Sequence, residues 1–110
     1  MIAKKFRLKR SDLALPLEKG ETLHSKLFII KYLKNNENFS RYCVIISRKI
    51  SNKAVIRNKL KRQAFEAITK IEKLEKNQNF DIVLIPRKQI LESSYKDIEE
   101  DLQLNIFKLK

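Results

Sequence analysis

Apolar residues along this chain repeat with two different periods, and the shorter period comes first. The runs from Leu27 to Leu33 and from Arg41 to Ser47 are short and rich in β-branched and aromatic residues, which is typical of strands. The polar cluster at 35–38 separates them, so we expect an antiparallel pair joined by a turn. A third run at 80–85, ended by Pro86, predicts a further, largely buried strand.

A helical period follows the second strand, from about Ser51 to Leu74. The apolar residues there fall within roughly a third of the helical wheel: Ile56, Leu60, Ala64, Ala67, Ile68, Ile71 and Leu74. The polar triplet 77–79 should end this helix. A last helix is expected from Ser94 to Phe107, because Ser94 and Asp97 have the spacing of a capping box and an apolar stripe follows: Tyr95, Ile98, Leu102, Ile106 and Leu109.

The N-terminal part predicts less regular structure. Residues 1–10 alternate basic and apolar side chains and read as an extended basic arm. Ser11 and Asp12 offer N-cap chemistry to a short helix that Gly20, in the left-handed conformation, would end. Pro16 lies inside that helix and predicts a kink or an irregular turn.

The order of elements is helix, two or three strands, helix, strand, helix. This order predicts a single α+β domain over residues 1–110, with a small, mainly antiparallel sheet packed by helices.

The charge balance adds a class of partner to this picture. The chain has 25 Lys and Arg against 13 Asp and Glu, a net charge of +12. Such an excess repels itself unless a polyanion neutralises it, so nucleic acid is the leading partner and a membrane surface the second. No stretch approaches the roughly 18 apolar residues of a membrane-spanning helix, and no apolar signal core follows the basic N-terminus, so we expect a cytoplasmic protein.

Catalytic and metal-binding chemistry has little support in the sequence. Cys43 is the only cysteine and sits in an apolar run, which predicts a buried, inert thiol. His24 is the only histidine and is expected at the surface, without companions for a zinc site. Gly20 is the only glycine, which excludes a glycine-rich phosphate loop. We therefore predict no catalytic residue and no metal site in the protein.

The strongest local feature is a segment of seven basic residues and no acidic one between Arg48 and Arg62. On the helical wheel Asn58, Lys59, Lys61 and Arg62 lie away from the apolar stripe, with Arg57 at its border. A merely solvated face would normally mix Glu with Lys. A cationic ridge that binds phosphates is the better interpretation.

Residues 54–62, Ala-Val-Ile-Arg-Asn-Lys-Leu-Lys-Arg, resemble the signature of the bacterial ribonuclease P protein family. That signature is an Arg-Asn-Lys or Arg-Asn-Arg triplet, an aliphatic residue and Lys-Arg, opening a helix after a strand that ends in paired basic residues, here Arg48 and Lys49. The resemblance extends over nearly the whole chain, from Arg7-Leu8-Lys9 to Ser94-Tyr95.

The resemblance implies both a fold and a function. The fold would contain a parallel strand pair joined by an unusual left-handed crossover, whereas general rules favour a right-handed one. The partners would be the catalytic RNA of ribonuclease P and precursor tRNA, with no membrane and no obligate protein partner. The 5′ leader of the tRNA would be removed by chemistry that uses magnesium ions held by the RNA. The RNA-binding residues carried over are Arg48, Lys49, Lys53, Arg57, Asn58, Lys59, Lys61 and Arg62.

The leader would lie in a shallow cleft between the first helix and the sheet, where this chain departs from the family. Leu13 and Leu17 stand where aromatic residues are usual, and Lys31 stands at a tyrosine position of the first strand. We therefore expect leader binding to be more apolar and electrostatic than based on stacking. Phe65 replaces a residue that is commonly basic; packing against the arm is favoured over stacking on RNA.

Two other classes share some of these features. A ribosomal protein would have a similar size and charge, but is not expected to carry the run from Arg57 to Arg62 after a basic strand end. A DNA-binding regulator would use residues 52–68 as a recognition helix. The strand directly before that helix argues against a helix-turn-helix.

Overall fold

The computed structural model of the chain describes residues 6–37, 39–74 and 79–109, and it is an α+β fold, as predicted. Three strands precede the long helix, but the first of them, at Glu21–His24, was not located by the sequence, and two 3-10 turns, Arg10–Asp12 and Lys88–Glu92, were not foreseen. In chain order the helices and strands are α1 (Ala14–Lys19), β1 (Glu21–His24), β2 (Phe28–Lys34), β3 (Arg41–Val44), α2 (Ala54–Leu74), β4 (Phe80–Pro86) and α3 (Tyr95–Ile106).

The four strands form one sheet in the order β1-β2-β4-β3. The predicted antiparallel pairing of β2 with β3 is wrong, because β4 lies between them, antiparallel to β2 and parallel to β3. β4 is apolar at nearly every position and is buried on both faces, which suits a central strand. β1 pairs with β2 in a hairpin that the sequence did not predict, because β1 has only one apolar residue, Leu23.

One face of the sheet, the inner face, packs against α2 and α3. Alternate residues of β2, β3 and β4 enter the core there together with the predicted stripes of the two helices. Among the predicted stripe residues, Ile56 and Tyr95 are partly buried at the rim, and the side chain of Leu74 lies outside the described residues. The fully buried side chains include Phe28, Ile30, Tyr42, Ile68, Ile71, Ile82, Leu84, Ile98, Leu102 and Ile106.

The two long helices begin close to where they were predicted. α2 starts at Ala54, and the Arg57 N–H donates to the Lys53 carbonyl at 3.1 Å. The capping box of α3 is confirmed: Ser94 Oγ accepts from the Asp97 N–H at 3.2 Å, and the Asp97 carboxylate accepts from the Ser94 N–H at 3.0 Å. Residues 77 and 78 of the predicted helix break lie outside the described residues.

β3 and β4 are the parallel pair implied by the family resemblance, and the chain passes between them through α2. The left hand of this crossover stays a prediction. Pairing with β4 brings the C-terminal end of β3, and so the start of α2, to the end of the sheet where β4 also finishes.

The first helix differs from its prediction at both ends: its N-cap residue is Leu13, not Ser11 or Asp12, and no side chain caps it. Pro16 is its third residue, inside the first turn where no N–H donor is needed, so it causes no break. Gly20 has a φ of −72°, so the expected left-handed conformation is wrong. Glycine is required there for space, because a Cβ would lie 2.3 Å from the Pro16 carbonyl oxygen and 2.8 Å from that of Tyr32.

The predicted basic arm can be followed from Phe6; residues 1–5 lie outside the described residues. Arg7 pairs with Tyr42 in a parallel bridge, and the Leu8 N–H donates to the Tyr42 carbonyl at 2.7 Å. The arm therefore runs beside β3 along the edge of the sheet. No helix in the described ranges has the length and apolar character that crossing a membrane requires.

Candidate RNA-binding surface

The residues predicted to bind RNA, which we call the basic segment, occupy the loop after β3 and the first half of α2. β3 ends at Val44, so Arg48 and Lys49 lie in a turn and not at the strand end as expected. Seven of these eight side chains are exposed, and Arg57 is half-buried. None of the ion pairs formed among the described residues involves them. The positive charge of the segment is thus uncompensated within the described part of the chain. Its members are Arg48, Lys49, Lys53, Arg57, Asn58, Lys59, Lys61 and Arg62.

Arg57 has a second task that the helical wheel did not predict. Its Nη1 donates to the Ser51 carbonyl at 2.9 Å, and the Ser51 hydroxyl accepts from the Lys53 N–H at 3.2 Å. These bonds fix the loop that leads into α2. One guanidinium therefore shapes the surface, and Arg57 also lines the cavity beside α2.

The start of α2 adds to the positive potential. Its first turn contains no acidic residue that would neutralise the exposed N–H groups of a helix N-terminus. Lys53 stands at this end of the helix. Backbone dipoles and side-chain charges therefore act together on an anion.

The second face of the sheet, which we call the outer face, carries the predicted leader-binding lysine. Lys31 of β2 lies opposite Val83 of β4, which in turn lies opposite Cys43 of β3. The prediction placed Lys31 in the first strand, whereas it belongs to the second. The aromatic neighbour Tyr32 faces the core, edge-to-face with Phe80 at 5.7 Å. It offers no stacking surface on the outer face.

An open cavity of about 410 Å³ joins the outer face to the basic segment, and we call it the junction cavity. It brings the predicted leader residue Leu13 together with Arg57, Asn58 and Lys61. Lys31 and Leu17 do not line it: Lys31 is two strands from Cys43, about 10 Å across the sheet, and Leu17 is exposed on α1. The complete lining is Arg10, Leu13, Cys43, Val44, Ile45, Ile46, Arg57, Asn58 and Lys61.

Arg10 is the cationic member of this cavity that sequence reasoning missed. It was counted in the arm, yet the 3-10 turn at Arg10–Asp12 leaves it exposed beside Leu13. The start of α1 therefore contributes one positive charge, and the start of α2 contributes two through Arg57 and Lys61. The signal was present, because Arg10 directly precedes the predicted cap at Ser11 and Asp12.

Three residues singled out in the sequence have clear positions. Cys43 is half-buried, not buried as predicted; burial raises the pKa of its thiol, while the nearby Lys61 charge partly opposes this. Phe65 is 3% exposed, which leaves little of its ring for stacking on RNA, and it lines a second cavity with Arg7, Leu8 and Lys9, on the side of α2 where packing against the arm was predicted. His24 is exposed, as expected.

No three His, Cys, Asp or Glu side chains lie together as a metal site would need, within the ranges that the structure describes.

The chain is similar to ribonuclease P proteins over nearly its whole length. A family model described as Ribonuclease P matches residues 2–110. The "Ribonuclease P protein component" of a Thermotoga species is 40% identical over 88 residues, covering 80% of this chain and 73% of the relative. The protein of the same description from Bacillus cereus is 35% identical over 108 residues, covering 96% and 90%.

Solved structures agree with these relatives. The ribonuclease P protein of Thermotoga maritima, in complex with 1-(4-fluorophenyl)-2-thiourea, superposes with a TM-score of 0.78 at 30% identity, covering 94% of this chain and 100% of that one. A mutant of the Staphylococcus aureus protein has the same TM-score at 28% identity, covering 97% and 92%. Sequence, fold and the position of the basic segment lead to one conclusion: the chain belongs to the bacterial ribonuclease P protein family, the protein components of a tRNA-processing ribonuclease.

Proposed function

We propose that this chain binds the catalytic RNA of ribonuclease P through the basic segment and holds the 5′ leader of precursor tRNA across the junction cavity and the outer face. One observation carries the proposal. The uncompensated cations of α2 and the half-buried Leu13 of the first helix line the same cavity. A single-stranded segment there would meet positive charge and apolar surface together.

The basic segment suits the backbone of a folded RNA. Each Lys or Arg that meets a phosphate releases condensed counterions, which gives a strong affinity that falls with salt. Arg62 can grip a phosphate with two parallel hydrogen bonds, and Asn58 can both donate and accept. No described ion pair has to break before these groups bind.

The leader would pass from the junction cavity onto the outer face. Leu13, Ile45 and Ile46 offer apolar contact to its bases, and Lys31 offers a charge to its phosphates farther along the sheet. The aromatic platforms that usually stack single-stranded bases are replaced by leucine on α1. Binding of the leader therefore depends on phosphate charge more than on stacking, which typically contributes about 1–3 kcal/mol per base.

The reaction would be hydrolysis of one phosphodiester bond, which releases the leader and leaves the mature 5′ end of the tRNA. Magnesium ions held by the catalytic RNA would activate the attacking water and stabilise the leaving oxygen. The chain itself supplies positive charge where leader, tRNA and catalytic RNA bring their phosphates together. Relief of that repulsion should lower the magnesium concentration that the reaction needs.

The two other classes fit the structure and the comparisons less well. β3 leads through the turn at 48–50 directly into α2, so no short helix precedes it as in a helix-turn-helix. A ribosomal protein is not favoured either, because the family match covers residues 2–110.

Reconstitution tests the proposal. Protein alone, a bacterial ribonuclease P RNA alone, and both together are each incubated with precursor tRNA at low and at high magnesium. We expect no cleavage by protein alone, and cleavage by the mixture at magnesium levels where the RNA alone is nearly inactive. A lysine peptide of matched charge is the control for unspecific neutralisation of phosphates.

Two outcomes would contradict the proposal. The first is cleavage by the protein alone that survives treatment with a nuclease that destroys contaminating RNA. The second is equal stimulation by the lysine peptide, which would mean that the arrangement of the basic segment does not matter.

A further inference from the structure

A second group of charged side chains lies on the outer face, beside the leader residues and apart from the basic segment. The Asp81 carboxylate is 7% exposed and accepts from Arg41 Nε at 2.9 Å and from Arg41 Nη2 at 2.8 Å. It also accepts from Asn35 Nδ2 at 2.8 Å. Arg41 Nη1 lies 3.7 Å from the carboxylate of Asp12. We call these four residues the carboxylate network.

The positive charge of Arg41 is neutralised within the protein, unlike the charges of the basic segment. The carboxylates of Asp81 and Asp12 pair with its guanidinium, and the hydrogen bonds to Asp81 are the main cause of its raised pKa; the Glu37 carboxylate adds the smallest contribution. No net positive charge is left for a phosphate. Arg41 therefore shares the outer face with Lys31 without sharing its chemistry.

The network also connects parts of the chain that are distant in sequence. Arg41 opens β3, Asp81 lies in β4, and Asn35 Nδ2 also donates to the Phe39 carbonyl at 3.2 Å in the loop after β2. Asp12 adds the 3-10 turn that leads into the first helix, and its carboxylate accepts from the Lys9 N–H at 3.2 Å. The Arg41–Asp12 pair thus connects this turn, and through it the start of α1, to the sheet, whereas the arm before it is held by the Leu8–Tyr42 bond.

The residue after Asp12 is Leu13, which precedes α1 and lines the junction cavity with Arg57, Asn58 and Lys61. The distance from Leu13 to the start of α2 is therefore set by where Arg41 holds Asp12. We infer that Asp12 and Arg41 are positioning residues for the leader: they hold Leu13 and the first helix at a distance from α2 that leaves the junction cavity wide enough for a single strand. This inference rests on the proposed function, since it concerns the leader-binding half of the same surface.

Considering charge alone gives the opposite prediction for the effect of removing Asp12 on leader binding. A carboxylate beside a path for phosphates repels them, so its removal should strengthen leader binding. If Asp12 positions the first helix, its removal should weaken leader binding although the protein becomes more positive. The sign of the effect separates the two accounts.

Glu37 is the matched control. Its side chain is exposed, it lines the same cavity as Asp12 and Arg41, and its own N–H donates to Asn35 Oδ1 at 3.0 Å. Glu37→Ala removes the same charge from the same region, with only a weak attraction to Arg41 lost, and leaves the Arg41–Asp12 pair intact. Asp12→Asn is the conservative variant, because the amide oxygen can still accept from the Lys9 N–H.

The measured quantity is the ratio of affinities for precursor tRNA with a leader and for mature tRNA, both with the reconstituted ribonucleoprotein. We expect Asp12→Ala to lower this ratio by roughly 2- to 30-fold, the range of mutations that act through a coupled network. Asp12→Asn should restore part of the loss. Glu37→Ala should leave the ratio unchanged or raise it. Affinity for the catalytic RNA should change in none of the three variants.

Hydrogen exchange of the free protein supplies a readout that needs no RNA. The Leu17 N–H donates to the Leu13 carbonyl at 3.1 Å, and the Gly20 N–H donates to that of Pro16 at 3.0 Å. Both amides should exchange faster in Asp12→Ala than in the parent and in Glu37→Ala. Equal exchange rates in all three proteins, or equal ratios in Asp12→Ala and Glu37→Ala, would overturn the inference. A parent ratio of one, with faster exchange in Asp12→Ala, would instead overturn leader binding itself and leave the anchoring of α1 intact.

Discussion

The basic segment and the carboxylate network use the same kind of residue for opposite purposes. Arg62 in the basic segment is exposed and has no ion-pair partner among the described residues, whereas Arg41 meets two carboxylates. The first arrangement leaves charge available to a partner. The second uses charge to hold the protein's own segments together, so an arginine on this protein is not by itself a site for phosphate.

Arg57 stands between these extremes. One of its nitrogens bonds the Ser51 carbonyl, and no carboxylate faces it in the described part of the chain. It should therefore keep its charge for RNA while fixing the loop before α2. Substitutions of Arg41, Arg62 and Arg57 should therefore differ in whether they affect stability, RNA binding or both.

Removing the guanidinium of Arg41 should have the largest effect, and it should fall on stability. Arg41→Met leaves the nearly buried Asp81 carboxylate without its main partner. We expect the free energy of unfolding to fall by about 3 kcal/mol, the lower end for a broken buried pair, since the Arg41 side chain is 23% exposed. Thermal and urea unfolding monitored by circular dichroism measure this change.

The double variant Arg41→Met/Asp81→Leu is the control for that experiment. Replacing both partners removes the isolated charge, so much of the lost stability should return. If the single and double variants are equally unstable, the loss comes from packing and the interpretation of the pair is wrong.

Within the basic segment the effect should appear in RNA binding. Lys61→Ala/Arg62→Ala should weaken binding to the catalytic RNA and lower the salt slope by about one unit for each phosphate that the protein no longer neutralises. Unfolding should stay unchanged, because both side chains are exposed. Filter binding across a salt series gives the slope.

Lys96→Ala/Lys108→Ala removes the same two charges from exposed positions on α3 and after its end. If this control lowers affinity and slope as much as Lys61→Ala/Arg62→Ala does, only total charge matters and the basic segment is a solvated helix face.

Arg57→Ala should lower both stability and RNA affinity, each by less than the variants above. It should lower the salt slope by about one unit, as Arg62→Ala does, and remove about 1 kcal/mol of stability that comes from the bond to Ser51. Arg57→Lys should recover the salt slope while the loop stays loose, because lysine cannot reproduce the geometry of the guanidinium. Amide exchange at Lys53 reports the loop, and identical behaviour of the two Arg57 variants would contradict the double role.

The sequence predicted those parts of the fold that depend on a local pattern of residues. The stripes of α2 and α3 and the capping box at Ser94 are local, and the structure confirms them. The position of β4 between β2 and β3 is not local, since no pattern within one strand tells which neighbour it takes. β1 was missed because a single apolar residue leaves no alternation to detect.

The candidate site divides in the same way. The basic segment was predictable because charge is visible in the sequence, and its exposure followed from the helical wheel. The carboxylate network was not, because Asp12, Arg41 and Asp81 look like ordinary polar positions until the sheet register places Arg41 opposite Asp81. Phe65 shows the limit of the wheel: the arm covers a side of α2 that would otherwise face solvent.

The smallest expected effect concerns Lys31, the one cation that we predict for the leader on the outer face. It is half-buried between Thr22 and Val83, about two strands from the junction cavity, so it can meet only the far part of a leader. Lys31→Ala should lower the ratio of affinities for precursor and mature tRNA by a few-fold. Leu17→Phe should raise the ratio by less, because one ring on an exposed turn gains only part of the about 1–3 kcal/mol of a full stack.

Lys26→Ala is the matched control, since Lys26 is exposed in the turn beside Asp101 of α3, away from the outer face. An unchanged ratio in Lys31→Ala would mean that the leader leaves the protein at the junction cavity, and a larger gain from Leu17→Phe than loss from Lys31→Ala would mean that stacking still governs this surface.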